Sequence, residues 1–352
     1  MQQENNPKED QDQKKNDTHD KPDEFPMPKY IRGYVVQDEI GRGAFSTVYR
    51  VFCPKYCQTF VAKVLFIKGD HPQHYIVSFE AEIKALLLLN HPNVIRIYDF
   101  FREDNRLYLI FEDCPYGSLD DEICAHKKIS PPRLYSFAKV LLEAINECHS
   151  NQIAHRDIKP ANILLDKYNR PVIADFGLSE VLKSGEKLEK QAGSFAYKAP
   201  EIFKNEPYSP YKPDIWSLGV VFYEMATGTL PWKHCQTLQM LKKAIMTGDF
   251  EIPNEIDPEF GDVIKAMLDL NYRRRPSAQK LLDIPILANA ESPGKKMHKL
   301  HKNNRSIKSH CLLPSPMRPQ ERYAKTSKND FLKMNDSINK SQISMLSKAK
   351  KM

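Results

Sequence analysis

The first third of the chain after Tyr30 alternates short apolar or β-branched runs with turn residues, which is typical of an antiparallel sheet. Turn residues such as Gly33, Pro54 and Asn105 separate the runs. Five runs predict strands at residues 34–40, 47–52, 59–67, 95–101 and 107–112.

Helical periodicity appears between the third and fourth runs and then dominates after Gly117. Residues 75–89 place apolar side chains three and four positions apart, which predicts one amphipathic helix. These side chains belong to Ile76, Phe79, Ile83, Leu86 and Leu87. Farther along, residues 215–226 predict a helix that is buried on most sides. A second apolar stripe consists of Leu134, Phe137, Val140, Leu141, Ile145 and Cys148. The pattern therefore predicts an α+β fold, with a small sheet-rich part and a larger helical part that meet near residues 112–118.

Both ends of the chain are polar. Residues 1–29 contain almost nothing apolar, and the helical pattern fades after Leu287, so we expect disorder at both ends. Residues 291–352 carry 15 Lys or Arg against 4 Asp or Glu, a net charge of +11, whereas the whole chain carries +7. Such a tail is most simply a solvated extension, although it could meet acidic proteins, nucleic acid or phospholipid. Its residues 331–346 form a weakly amphipathic pattern that is compatible with a calmodulin-like partner or with a membrane surface.

Seven cysteines show no spacing typical of a disulfide framework or a zinc site. Cys53 and Cys57 flank Pro54, and this arrangement predicts a hairpin turn. The N-terminal residues lack an apolar signal region, and no apolar run approaches the length of a membrane span. We therefore expect a protein of the cytoplasm or nucleus, without a transmembrane segment.

The first candidate for chemistry is a glycine-bearing loop, residues 41–48, between two predicted strands. Glycines allow backbone N–H groups to approach phosphate oxygens, although a plain hairpin turn explains such a loop equally well. On the next strand Lys63 lies among apolar residues, where an unpaired charge would be costly. Glu82 on the predicted helix is the favoured partner, and Glu80 is the alternative.

The second candidate is stronger because four polar residues share one chemical purpose. Residues 155–162 read His-Arg-Asp-Ile-Lys-Pro-Ala-Asn, and Asp-Phe-Gly follows at 175–177. The Asp157 carboxylate could accept a proton from a hydroxyl, and Lys159 could balance the charge of a transferred phosphoryl group. The side-chain oxygens of Asn162 and Asp175 suit a hard cation such as magnesium.

The order and spacing of these motifs resemble the eukaryotic protein kinase family over about residues 34–287. The similarity continues through the segments 193–197, 199–201, 214–219 and 275–277. It implies a bilobal kinase fold at residues 30–287, with an N-lobe at 30–113 and a C-lobe at 114–287. Residues 1–29 would then be a polar extension, and residues 288–352 a basic and mostly disordered tail.

The resemblance implies a role for each motif residue in binding ATP. Lys63 would contact the α- and β-phosphates while paired with Glu82. Glu112 and Cys114 would present backbone groups to the adenine. The residues expected around the nucleotide are Ile40, Gly41, Gly43, Val48, Val61, Lys63, Glu112, Cys114 and Leu164.

The same resemblance implies that Asp157 is the catalytic aspartate and that Lys159 neutralises charge at the γ-phosphate. Asn162 and Asp175 would hold Mg²⁺. Glu201 and Arg275 would form a buried ion pair that fastens the activation segment, residues 175–201, to the helical lobe. Lys159 followed by Pro160 is similar to the serine/threonine type of the family, so protein serine and threonine hydroxyls are the expected substrates. We expect no specific nucleic-acid partner.

Other segments are similar to the calcium/calmodulin-dependent and energy-sensing kinase group, namely residues 91–93, 117–119 and 228–232. Within that group a glutamate that helps to recognise basic substrates is frequent at the position of Ala161. The acidic residues 120–122 could partly take over this role, unless they only begin a helix. Two alternatives remain: a pseudokinase-like scaffold that binds ATP and partners without phosphotransfer, and a small-molecule kinase of the same fold. The scaffold predicts the loss of Lys63, Asp157, Asn162 or Asp175, and all four are present.

The sequence departs from the family pattern at three places. Ser46 stands at the third loop glycine, and Val61 stands where alanine usually packs on adenine. The activation segment has Lys190 at the usual phosphorylation position and contains no threonine. We hypothesise that Glu189 or Glu186 supplies a constitutive negative charge to Arg156.

This hypothesis predicts that phosphotransfer survives complete treatment with a phosphatase, because the activating charge is built into the chain. The measurement is phosphate incorporation into a generic Ser/Thr peptide before and after the treatment. Loss of activity on treatment, reproduced by Ser184→Ala, would contradict the hypothesis.

Overall fold

A computed structural model describes residues 29–43, 46–67, 72–177, 180–181, 195–204 and 207–291. The predictions for the tail beyond residue 291, for residues 1–28 and for residues 182–194 lie outside these ranges. Within the described ranges, no helix is long and apolar enough to cross a membrane.

The sheet of the small lobe has six antiparallel strands in the order β1-β2-β3-β4-β6-β5. The strands are β1 (Tyr30–Ile31), β2 (Tyr34–Arg42), β3 (Ser46–Cys53), β4 (Gln58–Phe66), β5 (Ile97–Glu103) and β6 (Arg106–Glu112). The five predicted strands are confirmed to within a few residues at each end. Strand β1 was missed because two residues are too short for a periodic pattern. The turn between β3 and β4 contains Pro54, as the two flanking cysteines predicted.

Helix α1 (Pro72–Leu88) connects β4 to β5 and covers one face of the sheet. Four of its five predicted core side chains, Ile76, Phe79, Ile83 and Leu86, are buried in a hydrophobic cluster shared with the helical lobe. The opposite face of the sheet has a smaller cluster of its own around Phe60. Strand β4 is therefore covered on both faces, which explains its nearly continuous apolar sequence.

The large lobe is mainly helical. Its helices are α2 (Leu119–His126), α3 (Pro131–Ser150), α4 (Lys212–Thr227), α5 (Leu238–Thr247), α6 (Pro258–Met267), α7 (Ala278–Leu282) and α8 (Pro285–Ala288). Four short strands form two antiparallel pairs, β7 (Ile153–Ala154) with β10 (Glu180–Val181) and β8 (Ile163–Leu165) with β9 (Pro171–Ile173). The predicted stripe of α3 is buried along its whole length, and α4 is buried on most sides as expected. This bilobal arrangement confirms the predicted fold class.

The acidic residues 120–122 begin α2. Ser118 accepts from the Asp121 backbone N–H at 3.1 Å, and Asp121 accepts from the Ser118 N–H at 2.8 Å, which is a capping box. Glu122 forms an ion pair with Arg133 on α3. Asp121 and Glu122 thus have structural partners, and a role in recognising basic substrates stays a prediction for Asp120.

The predicted ion pair between Glu201 and Arg275 is present and buried. Two parallel hydrogen bonds join the guanidinium to the carboxylate at 2.6 and 2.7 Å. Arg275 also donates to the Asp269 carbonyl at 2.8 Å and lies over the Trp216 ring. Because both partners are desolvated, removal of either one alone would cost about 3–5 kcal/mol.

Gly228 ends α4 at φ +75°, where the backbone closely approaches the end of α2. A Cβ at this position would overlap the carbonyl oxygen of Lys127. Gly248 ends α5 at φ +68°, and a Cβ there would meet only side-chain atoms of Leu270 at 3.4 Å. The two glycines therefore share a backbone conformation but differ in the space around them.

We expect Gly248→Ala to lower the free energy of unfolding by about 1–2 kcal/mol, the strain of a left-handed residue with a side chain. Gly228→Ala should cost clearly more, because the backbone at Lys127 must also move. Urea unfolding of both variants measures the difference. Equal losses would show that the contact between the ends of α2 and α4 contributes nothing.

Candidate active site

Lys63 lies in the middle of β4, between the fully buried Ala62 and Val64. Its Nζ donates to both carboxylate oxygens of Glu82 at 2.9 Å and to Oδ1 of Asp175 at 2.8 Å. The competing Glu80 instead lies 3.9 Å from Lys84, one turn along the same helix. The predicted pairing of Lys63 with Glu82 is confirmed, and Lys63 also joins the sheet and α1 to the Asp-Phe-Gly turn.

The Lys63 ammonium group stabilises both carboxylates of this cluster, while burial and the charge of Asp175 raise the pKa of Glu82 above its ordinary value. Burial favours a lower pKa for Lys63, but the carboxylates of Glu82 and Asp175 outweigh it and raise the pKa above its ordinary value. Desolvation likewise works to raise the pKa of Asp175, yet the charge and hydrogen bond of Lys63 hold it below the usual range. Both groups are therefore ionised at neutral pH.

The loop at residues 155–162 is held by a buried carboxylate from α4. Asp214, which is only 1% exposed, accepts the backbone N–H groups of His155 at 2.9 Å and Arg156 at 2.8 Å. Its Oδ2 also lies 2.9 Å from Nε2 of His149 at the end of α3. Arg156 has φ +72°, a strained value for a residue with a side chain, and the two backbone contacts stabilise this turn.

Two predicted catalytic residues, Asp157 and Lys159, meet the predicted metal ligand Asn162 on this loop. The Nζ of Lys159 lies 2.6 Å from Oδ2 of Asp157. The side-chain amide of Asn162 donates to the same Oδ2 and to the Asp157 carbonyl, both at 2.9 Å. These bonds orient the Asp157 carboxylate and turn the Asn162 amide so that its nitrogen faces Asp157.

Asp175 lies in the next turn, with φ +64° and a side chain that is 47% exposed. The neighbouring Phe176 is fully buried, with its ring 4.7 Å from that of His155. His155 in turn contacts the Ala174 carbonyl at 3.1 Å through Nε2. The two loops are therefore packed together through His155 and Phe176, which brings Asp157 and Asp175 to one site.

The residues expected around the nucleotide lie on the sheet, on β8 and in the hinge, which is the segment at residues 112–118 where the two lobes meet. Gly41 pairs with Val48 across β2 and β3, and the Gly43 N–H donates to the Ser46 carbonyl at 2.8 Å. Ile40 is exposed on β2. The loop tip, residues 44–45, lies outside the described ranges.

Other members of this set lie deeper. Val61, Cys114 and Leu164 are partly buried against one continuous core. Glu112 accepts the Arg96 backbone N–H at 2.9 Å through its side chain, so this carboxylate supports the hinge. The contacts of all these residues with ATP stay predictions.

The end of the activation segment rests on α4 and its neighbours. Tyr197 donates to Glu224 at 2.6 Å, and its carbonyl accepts the Ser217 hydroxyl at 2.8 Å. The Trp232 indole N–H donates to the Ala196 carbonyl at 3.0 Å. The residues of the constitutive-charge hypothesis, Glu186, Glu189 and Lys190, and the test position Ser184 lie outside the described ranges.

Sequence reasoning missed three contributors to the site. Asp214 belonged to a recognised motif, but nothing in the motif showed that its carboxylate holds the loop at residues 155–162. His149 lies on α3 next to the last residue of its apolar stripe, and nothing in the sequence pattern marked it as part of the site. Ser78, whose hydroxyl donates to the Gly177 carbonyl at 3.0 Å, is one polar residue on an amphipathic helix. Only the fold brings these residues to the site.

Comparison with known proteins agrees with this geometry. Residues 34–287 match the protein kinase domain. The chain is 33% identical over 261 residues to a probable serine/threonine-protein kinase MARK-A of Dictyostelium discoideum, which covers 74% of this chain and 24% of that protein. It is 32% identical over 252 residues to sperm motility kinase 3A of Mus musculus, covering 72% and 49%. It is also 32% identical over 280 residues to calcium/calmodulin-dependent protein kinase type II of Caenorhabditis briggsae, covering 77% and 52%.

The chain thus spans from a quarter to about half of the length of these relatives. It belongs to the protein kinase family, and its similarity is to the serine/threonine type. The expected family resemblance is confirmed, including its calcium/calmodulin-dependent side.

The lowered pKa of the Asp214 carboxyl group leads to a prediction about the stability of the protein in acid. Burial favours a higher pKa for Asp214, but the His149 hydrogen bond, neighbouring positive charge and the backbone N–H of Arg156 lower it below its ordinary value near 4. Its contribution is therefore complete at neutral pH and is lost as the pH falls through the depressed native pKa. We expect Asp214→Asn to lower the free energy of unfolding by about 1–3 kcal/mol at pH 7.

The difference in the free energy of unfolding between wild type and Asp214→Asn should narrow as the pH falls below about 4. Urea unfolding from pH 7 downwards gives the measurement. Asp262→Asn is the matched control, because Asp262 is exposed and its ion-pair partner within the described part of the chain is Lys265, at 3.3 Å. A loss for Asp214→Asn as small as that of the control would contradict the anchoring role.

Proposed function

We propose that this protein is an active serine/threonine protein kinase that transfers the γ-phosphate of ATP to protein hydroxyls. The observation that carries the proposal is the complete polar constellation. Lys63, Glu82 and Asp175 form one hydrogen-bonded cluster, and Asp157, Lys159 and Asn162 form a second. Family membership supports the kinase class, whereas the activity itself rests on this constellation.

Each side chain has a task that its contacts support. Asp157, oriented by Asn162, accepts the proton of the attacking serine or threonine hydroxyl. Lys159 lies beside the same carboxylate and can balance negative charge on the phosphoryl group in transit. Lys63 is held by Glu82 so that its ammonium group can bind the α- and β-phosphates of ATP.

The donor set fits magnesium, because Asn162 and Asp175 offer one amide oxygen and one ionised carboxylate, both hard oxygen ligands. Bound there, Mg²⁺ would supply positive charge to the phosphates of ATP. Asp175 is exposed enough to reach a ligand while Lys63 keeps its carboxylate ionised.

The scaffold alternative is disfavoured by the same contacts. A chain that had lost catalysis would not need to keep Asp157, Lys159 and Asn162 in one hydrogen-bonded group. The small-molecule kinase alternative is disfavoured by the platform at residues 195–204, which hydrogen bonds from Trp232 and Ser217 hold in place. We propose that this platform receives the protein substrate.

We also propose a signalling role in the cytoplasm or nucleus, with protein substrates as the principal partners. Free cysteines such as Cys124 and Cys57 are exposed, which suits a reducing compartment. One similar protein is named for its dependence on calcium and calmodulin, and the basic tail has a weakly amphipathic segment. A calmodulin-like or other acidic partner for that tail is our proposal on these two grounds.

The decisive experiment compares wild type with Asp157→Asn in a phosphotransfer assay with Mg²⁺, ATP and a generic Ser/Thr peptide. We expect the substitution to lower kcat by roughly 10²–10⁴-fold, because the proton acceptor is gone, while ATP binding persists. The control Asp262→Asn, which changes an exposed side chain of α6, should behave like wild type. A wild-type protein that binds ATP but transfers no phosphate with or without prior phosphatase treatment would contradict the proposal.

A further inference from the structure

Asp175 adopts a backbone conformation that must be imposed by its surroundings. Its φ of +64° is unfavourable for a residue with a side chain. Two restraints are already evident: the Lys63 ammonium group on its carboxylate and the buried ring of Phe176 beside His155. Neither of them holds the backbone on the far side of the turn, at Gly177.

A third restraint comes from α1. The Ser78 hydroxyl donates to the Gly177 carbonyl at 3.0 Å, across 99 positions of sequence. Ser78 precedes Glu82 by four residues, so one face of α1 presents both side chains to the site. A serine within a helix often donates to the carbonyl four residues earlier, whereas the hydroxyl of Ser78 reaches a different segment of the chain.

The backbone of Gly177 lies directly against the charged cluster. A Cβ on this residue would be 3.3 Å from Oδ1 of Asp175, 3.5 Å from Oε2 of Glu82 and 3.7 Å from Nζ of Lys63. Any shift of Gly177 therefore alters the packing around Asp175. The Ser78 hydrogen bond holds the carbonyl of this same residue.

We propose that Ser78 is a positioning residue that couples the location of α1 to the orientation of Asp175. Besides its apolar packing, helix α1 has two hydrogen-bonded links to this region among the described residues, Glu82 to Lys63 and Ser78 to Gly177. Displacement of α1 breaks both links together, so the phosphate-binding lysine and the magnesium ligand lose their geometry at the same time. This inference rests on the proposed kinase function for its catalytic consequence, but its structural part does not.

The test uses three variants of the full chain. Ser78→Ala removes the hydroxyl, and Ser78→Thr retains it. Val77→Ala is the matched control, since Val77 is the neighbouring residue on α1 and its side chain is exposed. Thermal melts verify that all three variants are folded.

The first measurement is hydrogen exchange of the segment at residues 171–177, made without nucleotide. We expect Ser78→Ala to speed this exchange by roughly 3- to 10-fold, the effect of one lost neutral hydrogen bond. Ser78→Thr should restore the wild-type rate, and Val77→Ala should not change it. The second measurement is the Mg²⁺ concentration for half-maximal phosphotransfer, which should rise in Ser78→Ala by a similar factor while the KM for the peptide is unchanged.

Exchange that is unchanged in Ser78→Ala, or accelerated equally in Val77→Ala, would overturn the proposal. A faster exchange with an unchanged Mg²⁺ requirement in an active enzyme would overturn it as well. An inactive wild-type protein would count against the proposed function alone, because the exchange measurement without nucleotide still decides the role of Ser78.

Discussion

The ammonium group of Lys63 is the contact on which the rest of the site depends. A charged amine on a strand whose neighbours are fully buried is acceptable only if carboxylates surround it. Glu82 reaches it from α1, and Asp175 reaches it from a turn in which its own φ is +64°. The energetic requirement of one side chain thus determines the arrangement of three segments that are distant in sequence.

The large lobe uses the same principle with charges of the opposite sign. Asp214 is buried and satisfied by two backbone N–H groups and by His149, and these contacts shape the loop that carries Asp157. Glu201 is buried and satisfied by Arg275. Buried polar groups of this kind have well-defined partners, because each alternative arrangement would leave a desolvated charge unpaired.

Strained backbone conformations in this protein occur beside contacts that stabilise them. Arg156 and Asp175 both have positive φ. The backbone N–H of Arg156 donates to Asp214, and the carboxylate of Asp175 accepts a hydrogen bond from Lys63. Residues in such conformations persist when the surrounding structure determines them, and they cluster at functional sites. The hydrogen bond from Ser78 extends this pattern, since it restrains the turn of Asp175 from the helix that also carries Glu82.

The sequence alone determined the fold class, the strands of the sheet, the buried stripes of α1, α3 and α4, and the two ion pairs at Lys63 and Arg275. It could do so because periodicity reports burial and because a lysine in an apolar context demands a partner, whereas the pair at Arg275 followed from the family resemblance. Tertiary structure decided three features: the two-residue strand β1, the anchoring of the loop at residues 155–162 by Asp214, and the hydrogen bond from Ser78 to Gly177. These depend on which backbone groups meet after the chain has folded, and a backbone N–H or carbonyl carries no mark in the sequence.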